Sequence, residues 1–183
     1  MSIKVGDTIP DGTLQYVPYD PNESLEACPR PLPYKIHEKL KGKKAIIFAI
    51  PEEKKIKLMQ QYPKKGPFTP ACSEVHVPGY IQHAHSLHSK GVSEIICLSV
   101  IDGFVMNAFG KVSGSKDKVI MAGDGSAAFS TALGLTQDLT KGGMGIRSKR
   151  FAILIDDLKV TYVGVEEARG VTVSGAEAVL AKL

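Results

Sequence analysis

The fold of this chain is decided by one stretch, Lys65-Gly-Pro-Phe-Thr-Pro-Ala-Cys-Ser-Glu-Val-His-Val-Pro-Gly-Tyr80. Thr69 followed by Pro70 predicts the start of a helix, because threonine can cap a helix and proline in the first helical position loses no hydrogen bond. That register places Cys72 in the first turn, beside unpaired amide hydrogens and the positive end of the helix dipole. Both favour a thiolate, the nucleophilic form of cysteine. From these residues alone, Cys72 is either a reactive thiol or a small buried residue in a well-capped helix. The Thr69 hydroxyl either caps the turn or binds an oxygen held near the sulfur.

The segments on either side of this stretch alternate between buried strands and helices. A strand is predicted over residues 44–50, ended by Pro51, and the helix that begins at Thr69 extends to about Lys90. Pro78 is expected to kink this helix, since proline removes one backbone hydrogen bond. The other predicted elements are a strand over 94–100, a helix over 102–112, a strand over 118–121, a helix over 126–133, a hairpin over 149–165 with its turn at Asp156-Asp157, and a helix over 174–181 capped by Ser174.

The remaining segments are predicted to be irregular. They are residues 1–43, the glycine-rich residues 134–149, and a lysine-rich surface insertion at about 52–65. The order of strands and helices predicts a three-layer α/β fold with a central mixed β-sheet flanked by helices, of the thioredoxin-like kind. At 183 residues the chain is expected to form a single domain, 1–183.

Composition excludes several functional classes. The net charge of +4 is mild, and five lysines fall within the 52–65 insertion. Charge confined to one segment, without an aromatic stripe, is typical of a solvated loop, so no nucleic-acid binding is expected. The longest aliphatic run, Ala45–Ile50, is too short to span a bilayer, and the N-terminal residues have no apolar signal core. No membrane association is expected.

The three cysteines, Cys28, Cys72 and Cys97, form no closely spaced pair. They therefore predict neither a disulfide framework nor a zinc site, and they indicate a reducing compartment. Cys28 lies between prolines, which predicts an exposed loop. Cys97 lies in the middle of a predicted strand, which favours a buried and unreactive side chain.

Histidines follow Cys72 along the same predicted helix. His76 lies one turn later and shares a helix face with Cys72, so it either supports a site there or is a hydrogen-bonded structural residue. His85 and His88 are spaced to share a metal ion, but no carboxylate motif completes a site. We interpret them, together with His83, as part of a solvated face. Neither a metal nor a bound cofactor is expected.

Four segments resemble those of one known family in both order and spacing. They are Gly66-Pro-Phe-Thr-Pro-Ala-Cys-Ser73 with His76-Val-Pro-Gly-Tyr80; Cys97-Leu-Ser-Val100 with Asp102-Gly-Phe-Val-Met-Asn-Ala-Phe-Gly110; Ser148-Lys-Arg-Phe-Ala-Ile153; and Thr172-Val-Ser-Gly-Ala-Glu-Ala-Val-Leu180. The chain thereby resembles a peroxiredoxin, of the peroxiredoxin-5 type that includes fungal alkyl hydroperoxide reductases. The likeness covers nearly all of the chain from residue 44 onward, apart from 52–65.

The resemblance implies a thiol-dependent peroxidase that reduces hydrogen peroxide and alkyl hydroperoxides. Cys72 would be the peroxidatic cysteine, which attacks the peroxide and becomes a sulfenic acid. Thr69 would hydrogen-bond the peroxide, His76 matches a family histidine, and Arg150 would stabilise the thiolate and polarise the O–O bond. Without the resemblance, the alternative interpretation of Arg150 is an ordinary surface cation at a strand edge.

The chain departs from the family pattern near the thiol. The family usually has a proline four residues before the threonine, to shield the cysteine from water, and Lys65 occupies that position here. Either Pro51 or Pro67 takes over the shielding, or the pocket is more open than usual. Val173 occupies the position where some relatives have a resolving cysteine, so residue 173 cannot resolve a Cys72 sulfenic acid in this chain.

The loop around Cys28 resembles the resolving-cysteine region of the fungal relatives, in which the partner thiol comes from the other subunit of a dimer. The resemblance therefore implies a homodimer in which Cys28 is a possible resolving residue. The alternative is a one-cysteine cycle, in which a thioredoxin-like protein, glutaredoxin or a small thiol reduces Cys72 directly.

Two other functions remain open from the sequence. A thiol–disulfide oxidoreductase is disfavoured, because the chain has no Cys-x-x-Cys motif. A partner-binding or chaperone-like protein is the second alternative, if the 52–65 insertion has altered the pocket. The chain ends in Ala181-Lys-Leu183, close to the Ser-Lys-Leu peroxisomal address, so we expect either a peroxisome-like organelle or the cytoplasm.

Overall fold

A computed structural model of the chain describes residues 1–51, 71–168 and 170–183. Within these residues the strands are β1 (Thr13–Tyr16), β2 (Leu32–Lys35), β3 (Lys44–Ala49), β4 (Val92–Ser99), β5 (Ile120–Gly123), β6 (Thr136–Asp138), β7 (Ile146–Ser148), β8 (Phe151–Asp156) and β9 (Lys159–Val165). The helices are α1 (Ile36–Leu40), α2 (Val77–Ser89), α3 (Gly103–Ser113), α4 (Ala128–Ala132) and α5 (Ala176–Leu180). A π-helical segment, Ala71–His76, precedes α2, and a 3₁₀ turn covers Thr140–Gly142.

Seven strands form one mixed sheet in the order β2-β1-β5-β4-β3-β8-β9. The central strands β3, β4 and β5 are parallel, and the helices α2 and α3 make the crossovers between them. The hairpin β8–β9 pairs antiparallel with β3 on one side, and β1 pairs antiparallel with β5 on the other. The predicted fold class, a central mixed sheet flanked by helices, is confirmed.

The central strands are buried on both faces because helices cover both sides of the sheet. Alternate β3 residues show this: Ile46 and Phe48 pack with α2, α3 and α5, whereas Ala45 and Ile47 pack with α1 and α4. A strand buried on both faces has a continuous apolar sequence, which is why β3 was predictable from its composition. Among the residues that the structure describes, no helix combines the length and apolarity needed to cross a membrane.

The helix after the thiol differs from its prediction near Pro78. The chain is π-helical up to His76, α2 follows directly at Val77, and Pro78 lies in the first turn of α2. Proline is tolerated in a first turn because the amide that it lacks would have no partner there. The helix therefore changes from π to α next to Pro78, and the kink expected there stays a prediction. The predicted end near Lys90 is confirmed, with Gly91 following at a φ of +89°.

Two segments predicted to be irregular contain regular structure. Residues 1–43 contribute β1, β2 and α1, and residues 134–149 contain the two-stranded sheet β6–β7. These strands are short, and in β1 only Leu14 is buried, so the local sequence carries little strand signal. Pairing with other strands stabilises them, and such pairing is not local in sequence.

Three smaller predictions also need correction. Strand β5 begins two residues later than expected, and the β8–β9 turn lies at Asp157 and Leu158, both with positive φ. Ser174 does not cap the last helix, because Gly175 occupies the N-cap position and the Ser174 hydroxyl donates to Glu166 instead. The insertion at 52–65 lies outside the described residues.

Candidate active site

The Cys72 sulfur lies between a carbonyl and a guanidinium group. Cys72 is only 1% exposed and belongs to the π-helical segment. Its thiol donates to the Pro51 carbonyl oxygen at 3.4 Å, and Arg150 Nη2 donates to Sγ at 3.4 Å. The sulfur therefore has an acceptor for its proton on one side and a fixed positive charge on the other. Pro51, one of the two prolines considered as a shield, is buried beside it.

Strand pairing brings Arg150 to this sulfur. Arg150 directly precedes β8, and Phe151 at the start of β8 pairs with Ala49 at the end of β3. The start of β8 is thus next to the point where β3 leads into Pro51. Arg150 is 4% exposed, so it is a buried cation rather than a surface residue at a strand edge. Guanidinium groups suit such positions because they present several donors in a fixed plane.

His76 contacts the second terminal nitrogen of the Arg150 guanidinium. Arg150 Nη1 lies 3.2 Å from His76 Nδ1, and His76 Nε2 lies 2.9 Å from the Ser174 carbonyl oxygen. Burial lowers the pKa of His76 to about 4, because desolvation penalises the charged ring and the nearby Arg150 adds repulsion. The imidazole is therefore neutral at pH 7. Its ring packs against Phe48 with centroids 4.9 Å apart.

The three cysteines lie in different environments. Cys28 is exposed, as expected, on the loop between β1 and β2. Cys97 is fully buried in β4, and burial raises the pKa of its thiol, as expected for an unreactive core residue. Cys72 is buried but contacts a cation and polar groups. Thr69 and the alternative shielding residue Pro67 lie outside the described residues, so their roles stay predictions.

No metal site accompanies the thiol in the described part of the chain, where no group of three or more metal-binding side chains is found. The histidines of α2 have local partners instead. His83 Nδ1 lies 2.9 Å from the Gly79 carbonyl oxygen, and His88 Nδ1 lies 2.7 Å from the Val92 carbonyl oxygen. His85 is exposed. His83 and His88 thus each lie within hydrogen-bonding distance of a backbone carbonyl oxygen four residues away.

Comparison with known proteins identifies the family. The redoxin family model matches residues 4–180. Peroxiredoxin-2B of Arabidopsis thaliana is 44% identical over 181 residues, which is 99% of this chain and 98% of that protein. The chain is a peroxiredoxin. It belongs to the redoxin family, and it is a thiol-dependent peroxidase, an oxidoreductase.

Several solved structures similar to this chain are also peroxiredoxins. Reduced Prx3 of Vibrio vulnificus in complex with hydrogen peroxide is 36% identical, with a TM-score of 0.79 and coverage of 98% of both chains. Peroxiredoxin 5 of Alvinella pompejana is 31% identical, with a TM-score of 0.73 over 98% of this chain and 97% of that one. Membership of this family implies a peroxide substrate and a thioredoxin-type reductant. The resemblance found in the sequence is thus confirmed.

The structure adds residues to the peroxiredoxin site that the sequence did not indicate. Tyr80 donates its hydroxyl to the same Ser174 carbonyl oxygen, at 2.8 Å, and stacks on Phe48 with centroids 3.9 Å apart. Glu166 accepts hydrogen bonds from the loop that carries Ser174. Tyr80 ends the quoted motif, but nothing in the sequence indicates its partner, and Glu166 lies more than 90 residues after the thiol, so only the folded sheet brings them together.

Proposed function

We propose that Cys72 is the peroxidatic thiol and that Arg150 and His76 prepare it for attack on hydrogen peroxide and alkyl hydroperoxides. The observation that carries the proposal is the contact between Arg150 Nη2 and Cys72 Sγ in a buried site. Negative charge develops on the sulfur and on the leaving oxygen as the O–O bond breaks, and a fixed guanidinium stabilises both. Thr69, three residues before the thiol, would orient the peroxide.

The chemical step balances without a cofactor. The Cys72 thiolate attacks the distal oxygen of the peroxide, so that an S–O bond forms while the O–O bond breaks. Cysteine is oxidised to sulfenic acid and the peroxide is reduced. The leaving alkoxide or hydroxide takes up a proton and departs as an alcohol or water. The structure of the related Prx3 of Vibrio vulnificus with hydrogen peroxide supports this substrate class.

Replacing the thiol tests this function. We expect Cys72→Ser to abolish the rapid stoichiometric consumption of peroxide by the reduced protein while circular dichroism stays unchanged. Cys97→Ala is the matched control, because that thiol is buried in the core, and it should consume peroxide at the wild-type rate. Peroxide consumption that persists in Cys72→Ser would contradict the proposal, as would its loss in Cys97→Ala alone.

We also propose that Cys28 resolves the sulfenic acid across a homodimer. The Cys28 thiolate attacks the Cys72 sulfur of the other subunit, forming an S–S bond and releasing the oxygen as water. A thioredoxin-type dithiol then reduces the disulfide. Exposure of Cys28 supports this role. The segment before it is tethered by Lys111, which donates to the carbonyl oxygens of Ser24 at 3.0 Å and Ala27 at 2.7 Å.

We propose that the protein is located in the cytoplasm or in a peroxisome-like organelle. In the second case, Ala181-Lys-Leu183 would be the targeting signal. Leu183 packs partly against the core, whereas Ala181 and Lys182 are exposed. A fluorescent protein fused at the N-terminus, which leaves the C-terminus free, distinguishes the two sites. Punctate fluorescence that becomes diffuse when Leu183 is deleted supports the organelle, and diffuse fluorescence in both cases supports the cytoplasm.

A further inference from the structure

The carbonyl oxygen of Ser174 is the point where the C-terminal loop meets the active site. It accepts from His76 at 2.9 Å and from Tyr80 at 2.8 Å. A carbonyl oxygen can only accept, so His76 must carry its proton on Nε2. Nδ1 then has a lone pair, which accepts the hydrogen bond from Arg150 Nη1 at 3.2 Å. The position of one loop carbonyl thus fixes both the tautomer of His76 and its role as an acceptor.

Glu166 holds this loop in place with a single carboxylate. Its Oε1 accepts from the backbone amides of Thr172 and Ser174, at 2.6 and 2.8 Å, and from the Ser174 hydroxyl at 2.8 Å. Its Oε2 accepts from the Thr172 hydroxyl at 2.7 Å.

Burial opposes ionisation of the Glu166 side chain, but these hydrogen bonds outweigh the effect of burial and lower the pKa of Glu166 to about 2. Glu166 is therefore ionised throughout the neutral range.

Backbone pairing places Glu166 opposite Arg150. The Glu166 amide donates to the Arg150 carbonyl oxygen at 2.9 Å, which extends the β8–β9 ladder by one step. The two residues thus lie at the same end of one hairpin. The guanidinium of Arg150 points to Cys72, whereas the Glu166 carboxylate points to the loop. The charges of Arg150 and Glu166 act on His76 in opposite directions, the first lowering and the second raising its pKa.

We propose that Glu166 is a positioning residue for the peroxidase reaction, acting through Ser174 and His76 on the guanidinium of Arg150. The chain of contacts runs from the carboxylate to the Ser174 backbone, then to His76, Arg150 and the Cys72 sulfur. A guanidinium held at two of its nitrogens keeps one orientation, and the stabilisation of a developing charge depends on such fixed geometry. The inference deepens the proposed function of Cys72 and rests on it.

The charge of Glu166 is tested by Glu166→Gln, with Glu167→Gln as the matched control at the exposed neighbouring residue. We expect Glu166→Gln to lower the second-order rate with hydrogen peroxide about three- to tenfold, the size expected when one hydrogen bond in such a chain is lost. The ultraviolet absorbance of the Cys72 thiolate should also appear at higher pH. Glu167→Gln should match the wild type in both measurements, and Glu166→Asp, which keeps the charge, should fall between Glu166→Gln and the wild type.

A purely structural role would lower the unfolding temperature of Glu166→Gln and leave the thiolate titration of the folded protein unchanged. That result, or a wild-type rate in Glu166→Gln, would overturn the inference. The titration requires no peroxide, and neither does an NMR measurement of the His76 tautomer. Failure of the wild type to react with peroxide would therefore count against the proposed function, while these two measurements would still decide the role of Glu166.

A double-mutant cycle tests whether Glu166 acts through His76. His76→Phe keeps an aromatic ring next to Phe48 but cannot relay hydrogen bonds. If the contact chain transmits the effect, Glu166→Gln should add little to the rate loss already caused by His76→Phe. Fully additive losses would show that Glu166 acts by another route, and would overturn the inference.

Discussion

Arg150 and His76 together show how single residues prepare the Cys72 sulfur. Arg150 is a buried cation with donors to both Sγ and His76. Burying a charge is costly unless hydrogen bonds compensate for it. The neutral imidazole supplies such a bond without adding a second positive charge. The geometry therefore keeps the positive charge of Arg150 beside the Cys72 sulfur, where the proposed reaction needs it.

Loss of the guanidinium should slow the reaction with peroxide. We expect Arg150→Ala to reduce the second-order rate by about 100-fold or more, comparable to the loss of one charge-stabilising donor in other enzymes. Arg150→Lys should be intermediate, because an ammonium group cannot contact Cys72 and His76 in the same way. Stopped-flow measurement of peroxide consumption gives these rates.

Arg147→Lys is the control for this prediction. Arg147 donates from Nη1 to the Val100 carbonyl oxygen at 2.8 Å and lies on the neighbouring strand β7. Its replacement should leave the rate with peroxide near that of the wild type. If Arg147→Lys were slow and Arg150→Lys were not, the catalytic arginine would have been assigned wrongly.

His76 should make stability depend on pH. The pKa of His76 is about 4 in the folded chain, whereas its ordinary value, which applies to the unfolded chain, is 6.5. As the pH falls, the unfolded chain therefore binds a proton at this histidine before the folded chain does. Stability is therefore complete above about pH 6.5 and is lost between 6.5 and 4, by an amount on the order of 3 kcal/mol. Urea denaturation at several pH values measures this loss.

His76→Phe should have a flatter profile of unfolding free energy between pH 4 and 6.5 than the wild type. The exposed His85 provides the control, because His85→Asn removes a histidine that lies at the surface. Its profile should keep the wild-type slope. Equal slopes for all three proteins would mean that His76 titrates at its ordinary pKa in the folded state.

At the scale of elements, the end of β5 packs directly on the turn that leads into α3. A Cβ atom at Gly123 would lie 2.5 Å from the Ile101 carbonyl oxygen and 2.7 Å from the Asp102 carbonyl carbon. Both are backbone atoms, which cannot move as a flexible side chain can. Asp102 is also the N-cap of α3, where its side chain accepts from the Val105 amide at 2.9 Å.

Gly123→Ala should therefore destabilise the fold by about 1–3 kcal/mol, as overpacking typically does. Gly125→Ala is the matched control, since a Cβ there would meet its nearest neighbours at an ordinary 3.8 Å. We expect only the first variant to show a clearly lower denaturation midpoint. A Gly123→Ala protein as stable as the wild type would mean that the β5–α3 contact relaxes easily.

At the scale of the whole molecule, Cys28 and Cys72 should join two chains under oxidation. We expect one equivalent of peroxide to convert the reduced protein into a disulfide-linked dimer on non-reducing electrophoresis. Cys28→Ser and Cys72→Ser should each prevent that dimer, whereas Cys97→Ala should still form it. A Cys72 sulfenic acid that accumulates in the wild type without any dimer, and that a second equivalent of peroxide converts to sulfinic acid, would instead support a one-cysteine cycle.

The order of the central elements could be predicted from the sequence alone, and so could the candidate thiol. Strands β3, β4 and β8 each contain a run of apolar residues buried on both faces, and such composition is a local property of the chain. The motif around Cys72 and the Lys149-Arg150-Phe151 segment resembled one family closely enough to propose Cys72 as the nucleophile and Arg150 as its arginine. The comparisons with known peroxiredoxins confirm that family.

Which distant groups come into contact depended on the folded structure. The strand β1 has one buried residue, Leu14, and forms because β5 and β2 pair with it. The local sequence predicted Ser174 as a helix cap, yet its hydroxyl binds Glu166 and its carbonyl accepts from His76. These partners lie in separate parts of the chain, and hydrogen bonds between them depend on how strands and loops are placed in space. Local sequence preference carries no information about that placement.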